Sequence, residues 1–404
     1  MKLPKTLSRS DWRYLNLLGW CVVAGLFAII VQNALQRDHD RDFVYFYSCG
    51  RILNRYPPAQ LYDYTLQKQI FTEIQPLHEG VYGPSPYPPF VAMFFRAFAR
   101  MPFLAACWIW MGITLLLYLA GLALLAHRFL PGNRLKQSAL FCFALCFWPF
   151  AARTLLNGQL SAIGLFSLSL AICLEDSRRP FLSGLALSAC AYKPTLLLLL
   201  LPMLLVIRRY KTLLGFGAGL AALVSLTTAV EGFDVWSAWL RLMSNLAAYR
   251  PFLALDDYID AGSFAALLAH GAAPVRLAVL VLGVAATLWL LREWWRFRPL
   301  ARNHSAVVPW AAALTWTLVL NVYVPMYDTI LVLISLVVMA ASPSPLARGP
   351  AVRAAVFLLL LLAPVTRVVA GATGLQLLTL VIVAIGLVHL AVLRRSIAAK
   401  ESVK

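Results

Sequence analysis

Charged side chains are scarce in this chain. Lys, Arg, Asp and Glu make up 13% of its 404 residues, about half the ~25% share of an ordinary soluble domain. A water-soluble fold of this length needs a polar skin that the sequence lacks, so a soluble protein is excluded. Acidic residues are the scarcest, 17 against 35 Lys and Arg, which leaves a net charge of +18. That excess invites a nucleic-acid partner, but no basic stripe interleaved with aromatics exists, and none is expected. The six histidines form no tract and no metal-spaced cluster, so no metal and no cofactor is expected. Of seven cysteines only Cys49 lies in an outer loop, so no disulfide framework is implied. No internal repeat is evident, which weighs against an inverted-repeat transporter.

Apolar residues are what the chain has in quantity: 61% of the sequence, with a mean hydropathy of +0.76. Runs near 20 residues recur along its length, as membrane helices require. Outward spans are expected at about 14–33, 138–152, 212–230, 306–322 and 352–369. Inward spans are expected at about 103–126, 158–174, 273–292, 326–341 and 375–393. The segments between them that fall on one side hold 22 of the 35 Lys and Arg, while the rest of the chain holds 12 of the 17 Asp and Glu. The positive-inside rule then sets both termini in the cytoplasm, with the first span uncleaved, in a multi-pass protein of the cell (inner) membrane.

The fold class expected is all-α and polytopic, one integral membrane domain over 1–404. It has about ten full spans, outer juxtamembrane helices and one exception to the span count. From 181 to 207 an apolar run is interrupted by Tyr192-Lys193-Pro194 and flanked at both ends by Arg. A single span would put the second basic cluster outside, so a re-entrant helical hairpin with Lys193 at its tip is expected. Irregular backbone at such depth must line a protein-walled, hydrated cavity. Two outer segments are long. The first, 34–100, is aromatic and turn-rich and ends in an apolar helix over 89–100. The second, 231–262, carries a surface-lying stretch with Trp236, Trp239, Leu240 and Met243.

Several constellations at the outer face suit chemistry. Asp42 lies just beyond the first span, with Tyr45 on the same helical face at i, i+3. A carboxylate near the apolar boundary can serve as a general base; a solvated loop acid is the plainer reading. Tyr87, beside Pro88 and Pro89, offers a flat surface for a sugar ring, or belongs to an aromatic belt. Arg96, Arg153, Lys193, Arg276 and Arg367 stand in or near the membrane, where charges are costly. They can clamp a lipid phosphate, although snorkelling accounts for Arg96, Arg276 and Arg367. Asn157-Gly158-Gln159 forms either a hydroxyl-binding turn or a plain one. Asp328 opens an inward helix, as a ligand contact or a cap. His39, His78 and His270 are surface or boundary residues.

Taken in order, the motifs resemble glycosyltransferase family 87, a family with the GT-C fold. Asp42-Phe43-Val44-Tyr45-Phe46-Tyr47 is similar to the early D-[FL]-x-V-Y-[YF] pattern, with one residue fewer before Val-Tyr. Leu61-Tyr62-Asp63, Tyr87-Pro88-Pro89-Phe90, Asn157-Gly158-Gln159 and Lys193-Pro194 follow in the family order over roughly 40–210. Where relatives carry a late histidine, this chain offers Tyr327 and Asp328. The resemblance implies transfer of a hexose, mannose above all, from a polyprenyl-phosphate sugar donor to a lipid or glycan acceptor outside the cytoplasm. Asp42 would act as base and the anomeric carbon would invert. It implies Lys193 and Arg153 at the donor phosphate, and Tyr45, Tyr87, Asn157, Gln159, Trp236 and Asp328 at the sugar or acceptor, with no metal. The competing readings are a transporter or flippase of polyprenyl-linked sugars, a surface-polysaccharide polymerase, and a membrane assembly subunit without enzymatic activity.

Overall fold

The computed structural model describes residues 9–36, 42–75, 82–245, 254–269, 272–300 and 306–401. His39, His78 and His270 lie outside the described residues. Among the described residues eighteen α-helices follow one another: α1 Arg9–Gln36, α2 Phe43–Arg55, α3 Tyr64–Ile74, α4 Pro89–Phe95, α5 Phe103–Phe129, α6 Arg134–Cys146, α7 Ser161–Asp176, α8 Pro180–Ser188 and α9 Leu200–Val206. The second half holds α10 Tyr210–Glu231, α11 Asp234–Ser244, α12 Ala261–Ala269, α13 Ala273–Phe297, α14 Val307–Val319, α15 Val332–Ala341, α16 Pro350–Leu362, α17 Thr366–Thr373 and α18 Leu377–Glu401. A π-helix, Pro149–Leu156, and several 3-10 turns complete the order. Among the described residues the only extended pairing is an isolated bridge between Tyr258 and Pro325.

The chain is a multi-pass membrane protein. A helix stands at each of the ten expected spans, and among the described residues five stretches are long and apolar enough to cross a bilayer: Phe103–Phe129, Tyr210–Glu231, Ala273–Phe297, Pro345–Leu362 and Leu377–Ala398. A sixth is reached if α6 and the π-helix, bent 58° at their junction, form one span. The count of about ten is therefore larger than the number meeting length and apolarity alone. Several elements, α14 and α15 among them, are short because they sit inside the bundle.

Burial follows side-chain size. In α14 every residue but Val308 is buried, and the run Ala311-Ala312-Ala313 lets neighbouring backbones approach. Thr315 returns its hydroxyl to the helix, Oγ1 donating to the Ala311 carbonyl at 3.0 Å. By contrast α13 has only 6% of its apolar window buried and presents Leu277, Leu280, Leu282 and Leu288 outward, as a lipid-facing helix does.

Around the break at Lys193 the packing is governed by glycine. A Cβ on Gly184 would come within 2.0 Å of the Thr212 carbonyl, and one on Gly215 equally close to that of Phe181; Gly219 meets Ser188. Residues 181 to 188 thus climb beside 215 to 219, so α8 and α10 run parallel. Between them the helical course is interrupted at Lys193, which lies between the 3-10 turns Ala189–Tyr192 and Pro194–Leu197. The two ends of the excursion meet: Glu175 accepts from Thr212 Oγ1 at 2.8 Å and pairs with Arg209 at 3.1 Å.

Helices α2, α3, α4 and α11 form a platform at one end of the bundle. α2 buries Phe43, Phe46 and Tyr47 among Phe95, Phe98, Phe103 and Trp110. Arg96 does not snorkel. Its guanidinium bonds Glu231 at 2.7 Å and Asn54 Oδ1 at 3.2 Å, tying the platform to the end of α10. Asp63 of the Leu-Tyr-Asp motif caps α3, accepting from Leu66 N at 2.9 Å. Tyr62 hydroxyl donates to the Tyr87 carbonyl at 2.6 Å, so the two aromatic motifs hold each other. Arg276 is exposed on α13.

Candidate active site

Asp42 occupies the N-cap position of α2, yet its side chain makes no capping hydrogen bond. A cap aspartate normally spends its carboxylate on the backbone of the first turn. Here Gln159 Nε2 donates to Asp42 Oδ2 at 2.8 Å, and Asn157 Nδ2 lies 3.5 Å from the same oxygen. The carboxylate still sits at a helix N-terminus, where the dipole favours negative charge.

The turn that supplies these amides is locked to α2. Phe43 N donates to the Asn157 carbonyl at 2.9 Å, and Trp110 Nε1 donates to the Gly158 carbonyl at 2.8 Å. Gly158 has φ +76, and a Cβ there would stand 2.8 Å from the Phe43 Cβ. Only glycine satisfies both demands. Immediately before this turn, the bend between α6 and the π-helix carries Arg153 inward, where it pairs with Asp257.

Asp257 belongs to the segment expected to be the second outer one. The 3-10 turn Leu255–Asp257 sets Asp256 against Arg367 Nε of α17 at 3.1 Å, and Gln376 Nε2 donates to the Asp256 carbonyl at 2.8 Å. Tyr258 bridges to Pro325, Ile259 N donates to the Val324 carbonyl at 2.9 Å, and Val324 N donates to Asp260 Oδ2 at 3.1 Å. These bonds stitch the segment to the turn ahead of α15.

The result is a cavity of about 520 Å³ lined by Asp42, Arg153, Asn157, Gln159, Asp257, Tyr258, Pro325, Tyr327 and Arg367. Every residue but Pro325 offers a polar group. All come from segments, or from ends of spans, expected toward one side of the membrane. Along α7, Ser161 stands beside the cavity floor, and Asp176, at the far end of its 16 residues, pairs with Arg128 at 2.6 Å. Arg128 thus lies at the opposite end of α7 from the cavity.

Four of the nine candidates from the sequence line this space: Asp42, Arg153, Asn157 and Gln159. Lys193 and Asp328 do not; they form one ion pair beneath it. Asp328 is fully buried and also accepts from Ser161 Oγ at 2.6 Å. The Lys193 ammonium lies 5.0 Å from the centre of the Tyr327 ring, which is the cavity floor above it. Tyr87 stands behind that ring, packed edge-on to Phe46 at 5.1 Å; burial is the main reason its hydroxyl titrates above the ordinary tyrosine range. Tyr45 is stacked on Tyr82 at 5.6 Å and packed on Phe71, away from the cavity wall. Burial, then the charge of Asp42, pushes its pKa up to about 12. Trp236 points elsewhere: its Nε1 donates to Thr228 Oγ1 at 2.9 Å and its ring packs on Phe90 and Trp239.

Sequence reading gave no role to Asp257 or Tyr258 and counted Arg367 among the snorkelling cations. The signal was an Asp-Asp-Tyr run in an outer segment of a chain poor in acids. Burial, working against the attraction of Arg153, raises the Asp257 carboxyl above its ordinary range. Among the described residues no three of His, Cys, Asp and Glu stand together to hold a metal ion.

The glycosyltransferase family 87 model matches residues 86–320, more than half of the chain. No curated protein and no solved structure matches. The match extends well past the motifs near 210, and it includes Arg153, Asn157, Gln159, Lys193, Asp257 and Tyr258. Asp42, Tyr327 and Arg367 fall outside it; their candidacy rests on the cavity they share. The chain belongs to glycosyltransferase family 87, a GT-C-like family of membrane glycosyltransferases.

Proposed function

We propose that this glycosyltransferase moves a hexose, mannose in the first instance, from a polyprenyl-phosphate donor to a hydroxyl of a lipid or glycan. The cavity is read as opening to the extracytoplasmic side, because its lining comes from segments on the acid-rich side of the charge bias. The excursion from 180 to 207 is read as a re-entrant hairpin, since its ends meet and its tip lies beneath the cavity.

The observation that carries the reading is a cap aspartate diverted from capping to face a polar cavity beside two arginines. Asp42 takes the proton of the attacking hydroxyl. Gln159 and Asn157 hold the carboxylate in position by amide donors, which leave it able to accept that proton. The hydroxyl attacks the anomeric carbon from the face opposite the phosphate, giving inversion. The leaving phosphate needs charge stabilisation more than a proton. Arg153 and Arg367, with planar forks suited to phosphate oxygens, supply it. Lys193 acts from below, through the Tyr327 ring and Asp328, to fix the cavity floor.

The test is transfer by the purified chain in nanodiscs, with polyprenyl-phosphate mannose as donor and a membrane lipid extract as acceptor. Asp42→Asn keeps the size of the side chain and removes the base. Its rate is expected to fall by at least about 100-fold, the low end for general-base removal. Equal rates for both proteins would exclude Asp42 as the base. Donor movement across vesicles without transfer would favour a flippase.

A further inference from the structure

Both arginines at the cavity already hold a carboxylate. Arg153 pairs with Asp257, and Arg367 pairs with Asp256 at 3.1 Å. The two acids are adjacent on one 3-10 turn. The lining residues and their ion partners therefore carry two guanidinium groups against three carboxylates, Asp42, Asp256 and Asp257. An anionic ligand entering such a set adds negative charge to an excess of it, and one nitrogen of each guanidinium is already engaged by a carboxylate, Nη2 of Arg153 and Nε of Arg367.

We infer that Asp257 is an internal stand-in for the phosphate of the ligand, and that a phosphodiester binds by displacing the Asp257 carboxylate from Arg153. The inference rests on the donor-site reading above. A carboxylate and a phosphodiester each offer two oxygens to the same planar fork, so one replaces the other without rebuilding the arginine. The pair is reachable: Arg153 and Asp257 keep 21% and 14% of their side-chain surface open. The residues that follow are fixed by Val324 and Ser263, so the exchange is confined to the turn.

The displaced carboxylate is then surrounded unfavourably. Asp257 is faced by Arg153 of the π-helix, Arg367 of α17 and Asp42 ahead of α2, with Asp256, Tyr258 and Asp260 on its own segment. Burial already raises its carboxyl against the pull of Arg153. Losing that pull to a phosphate raises it further, so loading draws one proton from solution. The sign follows: phosphate affinity rises as pH falls. It changes by about tenfold per pH unit between the pKa of Asp257 in the free and the loaded protein, and is flat outside that window.

Methyl farnesyl phosphate is the probe, because a diester keeps one charge throughout. Its binding to the full chain in nanodiscs is measured by calorimetry between about pH 5 and 8, in two buffers of different ionisation enthalpy. Wild type is expected to take up about one proton and to bind more tightly at lower pH. Asp257→Asn is expected to bind at least tenfold more tightly than wild type at the high end and to lose the pH dependence. Dimethyl phosphate should bind more weakly with the same pH dependence, and farnesol should show none. No proton uptake by wild type overturns the exchange whatever the variant does. So does equal, pH-independent binding by wild type and Asp257→Asn, which leaves the donor-site reading standing. Failure of both proteins to bind the diester at any pH removes both.

Discussion

Lys193–Asp328 and Arg153–Asp257 are ion pairs of similar make, each joining segments more than 100 residues apart. They differ in what surrounds them. Asp328 is wholly enclosed, with Ser161 on its other oxygen and the Tyr327 ring over its lysine. Arg153 and Asp257 open on the cavity. A pair whose carboxylate is closed off entirely holds segments in register. An open pair can trade one partner for a ligand. The sequence reading put Lys193 and Arg153 together at the donor phosphate, and we propose the open pair, that of Arg153, for that role.

The largest effect that sharpens the contrast is on stability. Asp328→Ala leaves a buried ammonium without its counter-ion and should destabilise the fold by roughly 3–5 kcal/mol, read as a drop in thermal unfolding temperature in detergent. Replacing both partners, Lys193→Met with Asp328→Leu, should recover most of that loss. If the double variant is as unstable as the single one, the pair is more than a structural lock. Gly158→Ala comes next. It imposes a positive φ on alanine and presses on Phe43, costing about 1–3 kcal/mol. Transfer should fall further than stability does, because the same turn carries Asn157 and Gln159. The smallest effect belongs to an exposed pair. Arg51 and Glu73, 3.7 Å apart on the platform surface, should contribute no more than about 1 kcal/mol, so Arg51→Ala should leave both melting and transfer near wild type.

The helices were legible in the sequence because a bilayer demands length and apolarity from contiguous residues. The break in the helix at Lys193 was legible from Tyr192-Lys193-Pro194 inside an apolar run. Asp42 and the Asn-Gly-Gln turn were legible as polar residues at span ends. What escaped was pairing across the chain. Nothing local to Lys193 announces a carboxylate 135 positions later, and nothing in Asp256-Asp257 announces two arginines on different helices. Trp236 had the right composition for a sugar platform, but its indole is committed to Thr228. Composition finds residues able to do chemistry, and only packing decides which are spoken for.

The cavity draws on residues from Asp42 at one extreme to Arg367 at the other. Asp42 meets its amides only after the helices up to α6 and the π-helix have been laid down. The second arginine belongs to α17, which follows sixteen other α-helices among the described residues in the order of synthesis. A nascent chain that has emerged only as far as α16 therefore lacks one wall of the cavity.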